Sequence, residues 1–518
     1  MQEERLLLSV ASAESPEQSR LNLTLGAIAA LIVVRLIFAA LLPLSGDESL
    51  YWMYSRHLSP GFIDHPFMNP LLIRVGTTLL GDTPLGVRLM AVLLSIPATW
   101  AVWRSAIILS NDAGAGPEAG VLFNLMTAIS VGSLAATSDM VVVLTSSFLL
   151  YSLAKLQQSG RGYWWLVAGV AFGLGMDSKY TTAFFASGIL AWLVLVPANR
   201  RWILNPWSFA GGLIAIVLFS PVVLWNAGHH WASFAYQTHR MTVQHWSLRY
   251  VVELIGSQLL LVSPPIFILG CFGLSSVGVA QREMRASLVL LCSFVLPIAA
   301  YFLWHSLHER VQGNWPEPAY PALAIAAAIA ARDLPFRSDM SRRVVRWSRI
   351  SSAPIGGAIT ALALLQGAFG IVPLGHKDPT ARVLAVGWRQ LATSIDELRR
   401  NAGIPAYVAT DYTLAGWLTF YVPSKAPVIQ LNERVRWVNA PQPDKDLLDG
   451  PLLYVCKDAC PYIPYLKRGF NHVDLLGAFR RERNGALINT YSAYRLSGAI
   501  GPVLDAVYPP MNLGRRND

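Results

Sequence analysis

The sequence predicts a polytopic α-helical membrane protein, with about 11 transmembrane helices followed by a C-terminal α/β domain outside the membrane. Three observations carry this reading. The 518 residues are 53% hydrophobic and only 14% charged, with a mean hydropathy of +0.42, whereas a soluble domain carries about a quarter charged residues. Apolar runs near 20 residues, the length that crosses a bilayer core, recur through the first 374 positions. When those runs are alternated across a membrane, the Arg- and Lys-rich connections fall on one side. An ordinary soluble enzyme is excluded.

The runs lie at 22–44, 85–109, 117–135, 139–156, 163–178, 180–197, 208–225, 254–280, 286–304, 318–331 and 353–374. With a cytoplasmic N-terminus, the inner connections hold Lys155 and Arg161, then Arg200 and Arg201, then Arg282 and Arg285. The last inner connection holds Arg332, Arg337, Arg342, Arg343, Arg346 and Arg349. This orientation places every histidine on the outer side, although histidine was not used to choose it. The first run exceeds the h-region of a signal peptide and is expected to be a retained anchor. Arg35 within it is expected to pair or to meet a lipid phosphate. An odd number of spans leaves 375–518 outside, so 1–374 forms the membrane domain, with periplasmic loops 45–84 and 226–252. The net charge of +10 then follows from orientation and anionic lipid rather than from nucleic acid.

The terminal segment alternates β-like runs at 406–410, 426–430 and 451–455 with helical sequence at 382–400, a small α/β pattern. Cys456 and Cys460 stand within reach of a disulfide if a helical turn brings them together; the sequence leaves the bridge open. Cys271 and Cys292 lie in apolar runs and are read as packing. No spacing supplies a zinc ligand set; no cofactor is required, and a divalent metal is left open.

The candidate chemistry lies at the outer ends of the spans. Asp47 and Glu48 follow the first span directly, where carboxylates must be hydrated, paired or used; helix capping is the competing explanation. Asp139 opens the fourth run at the same depth and has the same competing explanation. Tyr51, Trp52 and Tyr54, with His57 beside them, suggest a helix lying at the headgroup interface. Lys179, His65, Arg240 and Arg310 supply cations, for which snorkelling is the bland alternative. Carboxylates and cations around one outer cavity suit transfer from a phosphate-linked donor. A carboxylate takes the acceptor's proton, and cations stabilise the leaving phosphate. Nucleotide sugars are made in the cytoplasm, so an outer-facing site points to a lipid-linked donor.

Read in order, GDESLYW (46–52), GFIDHPFMNPLLIR (61–74), GDTPLGVRL (81–89), ATSD (136–139), SKYT (178–181), SPVVLWN (220–226) and QGNWPEPAYPAL (312–323) resemble the GT-C membrane glycosyltransferases. The likeness is to the bacterial dolichyl-phosphate-mannose-protein mannosyltransferase-like group, glycosyltransferase family 39, with lipid A aminoarabinose transferases as relatives. The resemblance implies Asp47 as the residue that activates the acceptor, with Glu48 beside it and Asp139 as a second acidic site residue. Lys179, Tyr180, Arg240 and Arg310 would lie near the donor phosphate. Asp64, His57, His308 and Asn314 would serve the acceptor or the surrounding loops. His65 stands where the aminoarabinose transferases carry a lysine, a departure that argues against aminoarabinose as the donor sugar. The implied partners are a polyprenyl-phosphate sugar, a glycolipid or lipopolysaccharide acceptor, and the lipids of a bacterial inner membrane. Protein O-glycosylation and lipid transport are the alternatives; against transport, the distinctive charges sit at span ends and no internal repeat is present.

Overall fold

The computed structural model describes residues 16–239, 246–332 and 338–508. Among them, six helices are long and apolar enough to cross a membrane: Leu21–Leu41, Pro84–Ser110, Ser138–Ser159, Pro206–Gly228, Arg282–Ser306 and Asp339–Phe369. The chain is a helical, multi-pass membrane protein. Where the pattern predicts one span over 254–280, Leu248–Val262 and Pro264–Gly278 meet at 102°. The cause is local: Pro264 and Pro265 disfavour helical geometry at the preceding residue, and Ser263 takes a φ of 73°.

The other four runs give shorter helices. Residues 117–135 break into Ala115–Leu125 and two further short turns. Trp164–Met176, Phe184–Leu195 and Tyr320–Arg332 have 13, 12 and 13 residues, about 20 Å at 1.5 Å per residue. Tyr320–Arg332 is buried from Tyr320 through Ala330 and packs against Pro264–Ser275, Ala115–Leu125 and Arg282–Ser306. It is an inner helix whose alanines let its neighbours approach. Arg35 is buried and donates to Ser95 Oγ at 3.2 Å and to the Asn124 carbonyl at 3.3 Å. It therefore pairs inside the bundle.

The C-terminal region builds one mixed sheet from β1 (Ala406–Ala409), β2 (Val428–Gln430), β3 (Leu452–Lys457), β4 (Phe470–Arg483) and β5 (Ala486–Ala499), in the order β2-β1-β3-β5-β4. β1 runs parallel to β2 and β3; β5 runs antiparallel to β3 and β4. The first three strands fall on the predicted β-like runs, and the helix Trp388–Asn401 falls within and just past the predicted helical stretch. The β4–β5 hairpin turns at Asn484 (φ 50°) and Gly485 (φ 77°), the two positive-φ positions of a type I′ turn. Cys456 and Cys460 form a disulfide.

This region is fastened to the first outer connection. The helix Tyr412–Tyr421 packs on the helix Gly46–Arg56 at two glycines. A Cβ at Gly46 would lie 2.5 Å from Thr413 Oγ1, and one at Gly416 would lie 2.3 Å from Ser49 Oγ. The Tyr421 hydroxyl accepts from the Leu44 amide at 2.7 Å, and Asn439 Nδ2 donates to the Gly61 carbonyl at 2.9 Å. Consequently Tyr51, Trp52 and Tyr54 do not face headgroups, contrary to the interfacial-helix expectation. They are buried in protein, with Trp52 edge-on to Phe420 and Tyr54 stacked on Phe62.

Candidate active site

A helix turns each successive residue by about 100°, so the adjacent carboxylates at the start of Gly46–Arg56 face different surroundings. The N-cap of this helix is Ser45. Its hydroxyl accepts from the Glu48 amide, while Glu48 Oε2 accepts from the Ser45 amide at 2.8 Å, a complete capping box. Glu48 is also held by Arg88 at 2.6 and 2.7 Å and by the Ala136 amide at 3.1 Å. Arg88 in turn donates to the carbonyls of Ala39, Leu42 and Pro43 at the end of the first membrane helix. The capping role considered for the pair thus belongs to Glu48. Burial pushes its carboxyl up, but the Arg88 charge and these hydrogen bonds more than offset that and hold it below the ordinary range. Glu48 does not line the cavity described next.

Asp47 opens into a cavity of about 1330 Å³ bounded by both the membrane helices and the C-terminal region. The Tyr412 hydroxyl donates to Asp47 Oδ1 at 3.1 Å. The side chain is exposed to the cavity, whose walls surround it with protein from both regions. That enclosure raises its pKa, the Tyr412 hydrogen bond lowers it in part, and the charges of Asp64, Asp139 and Glu48 raise it further. The result is a carboxyl more basic than an ordinary aspartate.

Around Asp47 the cavity gathers Asp64, His65, Asp139, Lys179, Tyr180 and Asn314, predicted residues spread over most of the first 330 positions. Asp139, in the first turn of Ser138–Ser159, accepts from Lys179 Nζ at 2.5 Å, from Asn314 Nδ2 at 2.8 Å and from Thr137 Oγ1 at 3.0 Å. Its carboxylate is thereby bound side chain to side chain and caps no helix. Lys179 and Tyr180 occupy the break after Trp164–Met176, and the Tyr180 hydroxyl meets Ser233 Oγ at 2.8 Å.

Other predicted residues lie elsewhere. His57 is the exposed C-cap of the Gly46–Arg56 helix. His308 is buried against Trp246, with Nδ1 3.0 Å from the Trp304 carbonyl. Arg310 is 75% exposed and pairs with Glu253 at 2.9 Å, a surface pairing that follows from its place at the rim of the 307–315 connection. Neither His57, His308 nor Arg310 lines the cavity. Arg240 lies outside the described residues.

Two residues that sequence reasoning missed complete the site from the C-terminal region. Tyr412 reaches Asp47. Arg436 forms an ion pair with Asp64 Oδ1, and the Tyr54 hydroxyl donates to Asp64 Oδ2 at 2.7 Å. Burial pushes Asp64 up, but the Arg436 charge and both hydrogen bonds hold it below the usual carboxylate range. The NERVRW segment (432–437) shows its cations in the sequence, but nothing there placed them beside residue 64.

With the geometry in view, residues 64–225 match the family profile of dolichyl-phosphate-mannose-protein mannosyltransferases. The lipid A galacturonosyltransferase RgtD of Rhizobium johnstonii is 24% identical over 291 residues, 54% of this chain. The match spans 59% of that relative's length. Among solved structures, ArnT from Cupriavidus metallidurans bound to undecaprenyl phosphate has a TM-score of 0.62 at 15% identity, covering 94% of this chain and 99% of ArnT. Its apo state has a TM-score of 0.64 at 14% identity, covering 93% and 98%. Residues 64–225 therefore match the family profile of the dolichyl-phosphate-mannose-protein mannosyltransferases, and nearly the whole chain is similar in fold to ArnT.

Proposed function

We propose that this chain is an inverting glycosyltransferase. It moves a sugar from a polyprenyl-phosphate donor to a hydroxyl or phosphate of an envelope glycolipid, with lipid A or lipopolysaccharide core as the acceptor class. The observation that carries the reading is the single cavity in which Asp47 faces the Asp139–Lys179 pair. Asp47 takes the proton of the acceptor hydroxyl as its oxygen bonds to the anomeric carbon. The bond from that carbon to the phosphate oxygen breaks, and polyprenyl phosphate departs with the electron pair. Lys179 stabilises the charge that grows on it. One displacement from the face opposite the phosphate inverts the anomeric centre. The step needs no cofactor.

The undecaprenyl phosphate bound to ArnT supports the donor class, and the lipid A activity of RgtD supports the acceptor class. The site faces the periplasm of a bacterial inner membrane. In this reading the bent pair and the four shorter helical runs are also crossings, about 11 in all, and residues 375–518 form a periplasmic α/β domain over the membrane domain 1–374. Purified protein in detergent, given undecaprenyl-phosphate sugar and lipid A without any ion gradient, is expected to release undecaprenyl phosphate and glycosylated lipid A. Absence of turnover, with lipid movement in proteoliposomes, would favour a transporter.

A further inference from the structure

We infer that Arg436, from the C-terminal region, is a second cation for the donor phosphate, held by Asp64 until that phosphate arrives. The inference rests on the donor reading above. Arg436 lines the same cavity as Asp47, Asp139 and Lys179, and its side chain is 3% exposed. Two contacts fix its guanidinium: the ion pair with Asp64, and Glu433 Oε2 at 2.9 Å from Nε. The plane lies over the Tyr412 ring at 4.8 Å, and Tyr412 is the residue that donates to Asp47. The remaining end, Nη2, makes a long 3.4 Å contact with the Tyr236 hydroxyl.

The charge arrangement explains why a second cation belongs here. Asp47, Asp64 and Asp139 all line the cavity, and Lys179 is already bound to Asp139. His65 lies within electrostatic reach of both Asp64 and Asp139, but an imidazole is a titrating cation rather than a permanent one. A donor phosphodiester carries one negative charge and becomes more negative as it departs. A guanidinium fork matches two phosphate oxygens and keeps its charge. Exchange of Asp64 for phosphate on Arg436 supplies that charge without moving a new cation into a buried site. It also links donor occupancy to the C-terminal region that carries Tyr412.

A purely structural tether makes a different prediction, because Arg436→Ala and Asp64→Asn break the same ion pair. The test is undecaprenyl phosphate binding to the full-length protein in detergent, without sugar or acceptor. A phosphate-binding Arg436 predicts affinity about ten- to a hundredfold weaker for Arg436→Ala, partial retention for Arg436→Lys, and severalfold tighter binding for Asp64→Asn, where the competing carboxylate is gone and an acceptor for Tyr54 remains. Weakened or unchanged binding in Asp64→Asn overturns the inference, and that variant decides the matter alone if Arg436→Ala does not fold. Wild-type protein that fails to bind undecaprenyl phosphate overturns the donor reading and the inference with it.

Discussion

The Tyr412 hydroxyl donates to Asp47 Oδ1 at 3.1 Å across 365 positions of sequence. This contact joins the C-terminal region to the residue assigned as the base, and it stabilises the carboxylate form. Tyr412→Phe removes that hydrogen bond, so Asp47 becomes harder to ionise and less well oriented. We expect kcat/KM to fall roughly tenfold. Because the base must be unprotonated, activity is lost as pH falls through the Asp47 pKa. That pKa is raised chiefly by burial, so the acid limb should lie above that of an ordinary aspartate, and Tyr412→Phe should move it higher still. A pH profile of kcat/KM with an unmoved acid limb would contradict this.

Glu48 and Asp47 are neighbours whose substitutions should fail in different ways. Glu48→Ala leaves Arg88, 1% exposed, buried without its counter-charge and removes half of the capping box. A broken buried pair costs about 3–5 kcal/mol, so we expect low yield and a lowered melting temperature in detergent. Normal yield and unfolding temperature for Glu48→Ala would count against the structural role.

Lys179 and Arg310 should also separate. Lys179→Ala removes the cation paired with Asp139 in the cavity, and donor use should drop about ten- to a hundredfold. Arg310 pairs with Glu253 at the surface, where ion pairs contribute little, so Arg310→Ala should stay within about threefold of wild type. Steady-state kinetics against donor concentration distinguish the two.

The cavity requires Asp47 and the C-terminal region to share one side of the membrane, opposite the Arg-rich start of Asp339–Phe369. A single cysteine at Ala440, in a background lacking Cys271 and Cys292, should react with an impermeant thiol reagent from the periplasm, and one at Arg343 only after the inner membrane is opened. The reverse pattern would invert the assigned orientation.

Much of the fold was legible in the sequence because bilayer-length apolar runs and short β-like runs stand out in composition. The six long helices followed from apolar runs, the first three strands from alternating β-like runs, and the gathering of Asp47, Asp139 and Lys179 from their places at span ends and in the resembling motifs. What the sequence hid depended on tertiary pairing. Nothing in GDE says that Glu48 would be captured by Arg88, 40 positions away, while Asp47 faced open space. The burial of Tyr51, Trp52 and Tyr54 required a covering helix from positions 412–421. The β4–β5 hairpin carried a readable signal in Asn484-Gly485, but β4 is little buried along its length and ends in the charged run Arg480–Arg483, which masks its strand pattern. Arg436 could not be located because its partner lies 372 positions earlier.

The measurement closest to the central claim is transfer from undecaprenyl-phosphate sugar to lipid A by Asp47→Asn, made beside wild type and with donor binding recorded on the same preparation. Asparagine keeps the shape of the side chain and can still accept from Tyr412, but it cannot take a proton. Since Ser45 rather than Asp47 caps the helix, folding and undecaprenyl phosphate binding should be preserved while turnover falls by about 10²- to 10⁴-fold, with residual product of inverted anomeric configuration. Near-normal turnover by Asp47→Asn, or product that retains the donor's anomeric configuration, would contradict the account.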